Sequence, residues 1–281
     1  MRGCAVALLA AGCAAAAARP PDPQPSPDPA LAKASVEKIL HDSLAALERS
    51  VIDASAVAPD AFSWGIAPRD VFTSRKALAG SAPPGKFTAQ DLERRVFVAP
   101  DGRSAWFWEF YTRGGRPVRH TGLAGELDGR WLILAQHTSF AHGQDVDKRD
   151  EEGTLPDLAP VGDGIAPGAE DVGALFRKVV FLDRMLAAAT PPDFVIIGTD
   201  PGYLTGSLVR PVPAANDDGP RPRDGLRAGL GPGGLTAWAA ANVVWIKNGK
   251  RTMGPLRFMF VFAKEGARWR EVQNHHSYAL E

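Results

Sequence analysis

The residues best equipped for chemistry lie in two matched segments. One is Trp131-Leu132-Ile133-Leu134-Ala135-Gln136-His137-Thr138-Ser139-Phe140-Ala141, and the other is Trp269-Arg270-Glu271-Val272-Gln273-Asn274-His275-His276-Ser277-Tyr278-Ala279. Aligned without a gap they share Trp, His, Ser and Ala and set Phe140 against Tyr278. A neutral imidazole titrates near working pH and takes protons from carbon acids, so His137 and His275 are candidate general bases. The plain alternative is a structural histidine hydrogen-bonded inside a sheet. A base needs an orienting carboxylate, and in the first half Glu109, inside the aromatic run Ala105 to Tyr111, is the candidate. Arg119 and Arg257, 138 residues apart, can offer a donor fork to a ligand carboxylate or an enolate oxygen, or form rim salt bridges. Trp64, Trp106 and Trp108 are candidate walls for a flat apolar ligand, with core packing as the plain alternative.

Strand alternation assigns Trp131, Ile133, Ala135, His137 and Ser139 to one sheet face. In the second segment that face is Trp269, Glu271, Gln273, His275 and Ser277, which is more polar. Glu271 and Gln273 therefore join the ligand-binding candidates, and the differences from Ile133 and Ala135 are expected to mark the half that keeps a site. No metal is expected. His275 and His276 are adjacent and point to opposite faces, and His120, His137 and His142 lack zinc-site spacing. No cofactor is expected either, because Gly231-Pro232-Gly233-Gly234 leads toward a strand rather than a phosphate-binding helix. Cys4 and Cys13 are the only cysteines, which leaves the body of the chain without thiol chemistry.

These segments need elements to hold them. The chain has 281 residues, enough for two domains, and 32 basic against 32 acidic residues, a balance that disfavours nucleic acid or an anionic membrane surface as partner. Residues 1–13 read as a signal peptide, with Arg2, an apolar core too short to span a bilayer, and Leu9-Ala10-Ala11-Gly12-Cys13 at its end. That ending resembles the lipobox of bacterial lipoproteins, which implies lipidation at Cys13, a cell-envelope location and membrane contact through the lipid anchor only. Cleavage within the alanine run that follows, releasing a soluble exported protein, is the alternative. A Pro-rich linker occupies 14–33. Domain 1 is expected at 34–142, opening with a helix capped by Ser35 and striped by Val36, Leu40, Leu44, Leu47 and Val51. A solvated tether is expected at 143–168, and domain 2 at 169–281.

Three ordered matches relate the halves. Gly65 and Gly198, in Pro-Asp-led turns, are 133 apart; Pro100 and Pro232, each ahead of an Ala-Trp pair, are 132 apart; the closing segments are 138 apart. Turns at Arg113-Gly114-Gly115-Arg116, Asp128-Gly129 and Asn248-Gly249 read as hairpins between long strands. Helix, Gly-Pro turn, Ala-Trp strand and closing Trp-His-Ser strand in this order resemble the SnoaL-like branch of the NTF2-like superfamily, over nearly the whole mature chain, twice. The resemblance implies an α+β fold of two cone-shaped domains, each a bent antiparallel sheet wrapped around N-terminal helices, with a pocket at one end. It also implies sheets that pair as in NTF2-like dimers, here as an intramolecular pseudo-dimer. The family contains cyclases, isomerases and dehydratases beside members without a known reaction, so fold does not decide function. The expectation is a non-catalytic binder of a small apolar ligand or a protein partner. The alternative is a cyclase, isomerase or dehydratase using His137 or His275 as base on a carbonyl substrate.

Overall fold

The computed structural model describes residues 27–142, 149, 155–182, 195–197, 204–205 and 219–279. The expected leader with Cys13, most of the Pro-rich linker, the acidic start of the expected tether and most of the turn signature at 192–201 lie outside the described residues.

Helix α1 spans Pro29–Glu48 and begins ahead of the expected Ser35 cap. Asp28 accepts from the Ala30 amide at 2.8 Å, and Pro29 occupies the first helical position, where a missing N–H costs nothing. Ser35 sits inside the helix, its hydroxyl donating to the Leu31 carbonyl. Val36, Leu40 and Leu44 form the buried stripe, whereas Val51 falls beyond the helix end and is 51% exposed.

The first sheet contains β1 (Val57–Trp64), β2 (Val71–Phe72), β3 (Gln90–Val98), β4 (Ser104–Arg113), β5 (Arg116–Leu127) and β6 (Arg130–Phe140), with the short helix α2 (Arg75–Ala79) between β2 and β3. Their order is β2-β1-β6-β5-β4-β3, antiparallel except where β1 runs parallel to β6. The second sheet comprises β7 (Gly164–Ile165), β8 (Val195–Ile197), β9 (Leu204–Thr205), β10 (Gly219–Pro222), β11 (Arg227–Leu230), β12 (Thr236–Lys247), β13 (Lys250–Glu265) and β14 (Arg268–Ser277), with α3 (Glu170–Leu182) ahead of β8. Its path β11-β12-β13-β14-β8 repeats the order β3-β4-β5-β6-β1, including the parallel last pair. The hairpin signals are confirmed in the backbone. Asp128 and Gly129 have φ of 51° and 72°, and Asn248 and Gly249 have 52° and 71°, the left-handed pair that matches strand twist.

The end of the tether, from Leu155 onward, is not a free connection. Leu158 and Val161 are buried, β7 pairs with β11, and the Ala159 amide donates to the Pro68 carbonyl while the Ala159 carbonyl accepts from Asn242. Apolar side chains and paired backbone groups make this stretch a strap across both halves.

The two sheets pack face to face. Leu123, Ala135 and Trp106 of the first share one core with Trp238, Met259, Val261 and Val272 of the second, and Phe62 stacks on Trp238 at 5.4 Å. At the centre the rings of His137 and His275 stack at 3.8 Å. Each sheet carries a bulge that redirects its closing strand. Leu123 pairs with Ala135 but Ala124 pairs with Ile133, which leaves Leu134 extra; Val261 pairs with Gln273 but Phe262 with Glu271, which leaves Val272 extra. The single alternating face expected for each strand is therefore wrong. Ala135, His137 and Ser139 face the other half, while Ile133 faces inward beneath α1. Likewise Gln273, His275 and Ser277 face the first half, and Glu271 faces away from it.

Candidate functional site

A cavity of about 390 Å³ lies in the first half, between α1, the segment after α2 and the inner face of the sheet. Most of its wall is apolar, from Leu44, Leu47, Ile66, Phe87, Tyr111 and Phe140 among others. One side is polar, and there the side chains form a continuous chain across five strands. Arg94 on β3 donates to Glu109 Oε1 on β4 at 2.5 Å through Nε, and Glu109 Oε2 meets His120 Nδ1 on β5 at 2.7 Å. His120 Nε2 meets Gln136 Oε1 on β6 at 3.0 Å, and Gln136 Nε2 donates to Ser63 Oγ on β1 at 3.1 Å. The backbone registers Arg94 with Glu109, Glu109 with His120, and Ser63 with Gln136 as direct neighbours, so pairing alone sets most of the chain. Gly122, opposite Gln136, completes it: a Cβ there would lie 2.6 Å from Phe107 Cζ, and Phe107 packs edge-on against the His120 ring at 5.0 Å.

Glu109 is 2% exposed, so its charge is matched inside the protein rather than by water. Arg94 is held in turn through Nη1 on the Glu37 carbonyl at 3.1 Å, which ties the ion pair to α1. The Glu109 contact places a proton on His120 Nδ1. With the Gln136 oxygen toward Nε2, that nitrogen is the donor. With the Gln136 amide turned, its NH₂ donates to a bare Nε2 and its oxygen accepts from the Ser63 hydroxyl. Tyr111, in the same wall, has its pKa pushed upward by burial and then by the Glu109 charge, so it stays a neutral phenol. Among the described residues no group of His, Cys, Asp and Glu is placed to hold a metal ion.

Glu109 and Trp64 are the sequence candidates that line this cavity. The others lie elsewhere. His137 and His275, expected as bases at a pocket wall, are buried between the halves and bonded to hydroxyls: Ser277 Oγ lies 2.9 Å from His137 Nε2, while Thr121 Oγ1 and Ser139 Oγ each lie 2.9 Å from His275. Burial, and next the Arg257 charge for His137 and its stacked partner for His275, holds both well below the ordinary imidazole value. They are neutral packing residues. Trp106 and Trp108 sit on the opposite face of β4 from Glu109, stacked on Phe97 and Phe110. Arg257 donates to the carbonyls of Gly65, Ala67 and Pro68 rather than to a ligand, and Arg119 is buried on the same outer face as Ser139. Gln273 donates to the Phe107 carbonyl across the interface, and Glu271 is buried within the second half.

His120 is the cavity-lining polar residue that the motif reading passed over. In the second half the positions matching Arg94, Glu109 and His120 are Leu226, Ala241 and Phe258, all members of an apolar core. At these three positions the described second half is apolar.

Residues 181–281 match the SnoaL-like domain family. That match makes the second half SnoaL-like, and the first half repeats its sheet order in an α+β chain. No curated protein matches the sequence. Solved structures resemble it one half at a time. A protein of unknown function from Pectobacterium atrosepticum is 14% identical over 40% of this chain and 93% of its own, with a TM-score of 0.34. A protein of the NTF2-like family from Streptomyces avermitilis, provisionally assigned as a dehydratase, is 16% identical over 41% and 100%, at 0.33. An NTF2-like protein of unknown function from Pseudomonas putida is 14% identical over 42% and 92%, at 0.32.

Proposed function

We propose that the chain is an exported, lipid-anchored pair of SnoaL-like domains whose first domain binds a small, largely apolar molecule carrying one polar group. The observation behind this reading is the cavity of about 390 Å³ whose apolar wall is interrupted on one side by Ser63, Gln136, His120 and Glu109. A cavity of that size suits a small ligand with its polar atom turned toward the Gln136 amide and the His120 ring. N-phenyl-1-naphthylamine, an apolar probe with a single N–H, is expected to bind the wild-type protein saturably at one site, with a fluorescence increase. Thr138→Trp, which projects an indole from the cavity wall, is expected to abolish that binding while leaving the circular dichroism unchanged. Equal binding by both proteins, or none by the wild type, would remove this reading.

A second reading follows from the Glu109–His120 contact. With the Gln136 amide drawn aside by a ligand carbonyl, Nε2 of neutral His120 can take a proton from the carbon next to that carbonyl, the electron pair moving to the carbonyl oxygen. Acceleration of α-hydrogen exchange of cyclohexanone in D₂O by the wild type, lost in His120→Gln, supports it. No acceleration leaves binding as the function.

Attachment is tested separately. Expressed in a bacterium with a lipoprotein pathway, the chain is expected to incorporate radiolabelled palmitate, and Cys13→Ala to lose the label entirely and leave the membrane fraction. Sedimentation of the detergent-free protein as a monomer would accord with the halves acting as each other's partner.

A further inference from the structure

The second half reaches into the first at one charged residue. Arg257, on β13, is 1% exposed and among the largest fully buried side chains of the protein. Its Nη1 donates to the Gly65 carbonyl at 2.6 Å, and its Nη2 donates to those of Ala67 and Pro68 at 2.8 and 2.9 Å. The guanidinium also lies over the Trp64 ring, 5.7 Å from its centroid. Trp64, Gly65, Ile66, Ala67 and Asp70 all line the cavity, so all three carbonyls belong to its rim or to the residue beside it. The rim turn is closed locally by Asp70, whose carboxylate accepts from the Ala67 amide and whose backbone carbonyl accepts from Gly65. The strap adds a tie, the Ala159 amide on the Pro68 carbonyl.

The positions matching Arg94, Glu109 and His120 in the second half are Leu226, Ala241 and Phe258, packed into its own core. Resting on the ligand-binding reading above, we propose that the two halves have separate roles, the first domain binding the ligand and the second serving as a scaffold whose Arg257 positions the cavity rim. Arg257 is a positioning residue, because it acts through the 65–70 turn and not on the ligand. Three carbonyls converging on one planar, permanently charged fork need both arms of an arginine, and a single ammonium reaches fewer of them.

Wild type, Arg257→Lys and Arg257→Met are compared by hydrogen exchange and by N-phenyl-1-naphthylamine titration. Amides 65–71 are expected to exchange at least about tenfold faster in Arg257→Met, and less so in Arg257→Lys, with α1 amides unchanged. Probe affinity is expected to fall in the same order, by about tenfold for Arg257→Met. Should Arg257→Met fail to fold, Arg257→Lys, which keeps the charge and most of the length, carries the comparison. A folded variant with wild-type exchange at 65–71, or with a loosened rim and unchanged affinity, overturns the proposal. Uniformly faster exchange across the first domain also overturns it, because that marks general destabilisation. If the wild type takes up no probe, the ligand reading fails, and exchange at 65–71 alone decides whether Arg257 holds the turn.

Discussion

Replacing Glu109 by alanine is expected to cost about 3–5 kcal/mol of stability, the usual loss when one partner of a buried ion pair is removed. That corresponds to a fall on the order of 10 °C in the thermal midpoint. The carboxylate is 2% exposed and holds two donors, Arg94 on one oxygen and His120 on the other. Alanine leaves the guanidinium without its counter-charge and the imidazole Nδ1–H without its acceptor, and no other carboxylate is within this hydrogen-bonded chain. Glu109→Gln keeps the shape and one acceptor oxygen, so it is expected to lose less than half as much stability. The two variants also separate binding from proton transfer. Glu109→Gln leaves the apolar wall intact and should still take up N-phenyl-1-naphthylamine, whereas any exchange of cyclohexanone α-hydrogens that depends on His120 should fall. Differential scanning calorimetry of the three proteins checks the stability claim, and a midpoint shift of a degree or less for Glu109→Ala would show that Glu109 is solvated rather than paired.

The site is closer to legible in the sequence than the repeated motifs suggest. Gly114-Gly115 is a two-residue turn joining Arg113 to Arg116, and counting back four residues on each strand sets Glu109 directly opposite His120, as the sheet does. The pair is hidden behind the repeated Trp, His and Ser of the closing strands, residues whose repetition reflects packing in both halves. The hairpin turns, by contrast, are readable from Asp-Gly and Asn-Gly, since those pairs tolerate left-handed backbone at little cost. The bulge leaves no such mark. Leu134 lies in the apolar run Leu132-Ile133-Leu134-Ala135, and Val272 lies between Glu271 and Gln273, with no glycine or proline to show either as extra. One unmarked residue exchanges the faces of everything before it, which places Ile133 in the cavity and His137 at the interface.

The same bulges explain why comparing the halves points to the wrong positions. Difference between copies is a sound guide to a surviving site, but it has to be read on the inner face. There the informative contrasts are Glu109 with Ala241 and His120 with Phe258, a charged pair in one half and an apolar contact in the other. Gln273, which looks like a site residue against Ala135, instead donates to the Phe107 carbonyl across the interface. Polar residues on the shared face thus report how the halves recognise each other. Thr121 and its counterpart Met259 make that recognition unequal, since Thr121 bonds the His275 ring and a methionine gives His137 no such hydroxyl.

That buried pair of imidazoles makes acid the expected weakness of the assembly. Both rings are fully buried, stacked on each other at 3.8 Å and bonded to hydroxyls rather than carboxylates. The Arg257, Arg119, His276 and His120 charges around them disfavour protonation further, behind burial as the main cause. In the folded protein both titrate below their ordinary value, so the unfolded chain binds protons that the native one refuses. Their contribution is therefore fully present above pH of about 6.5, the ordinary imidazole value, and is lost as pH falls below it. Once both are protonated in the unfolded chain, the slope approaches about 1.4 kcal/mol per pH unit for each histidine. Urea midpoints measured from pH 7.5 to 5 check this, the lower limit keeping ordinary carboxylates out of the comparison. His275→Gln, whose amide can still bond Thr121 and Ser139, should be less stable at pH 7.5 but should lose about half of the acid slope. A wild-type midpoint that stays level between pH 6.5 and 5, or a His275→Gln slope equal to that of the wild type, would place the acid-sensitive groups somewhere other than the junction of the two sheets.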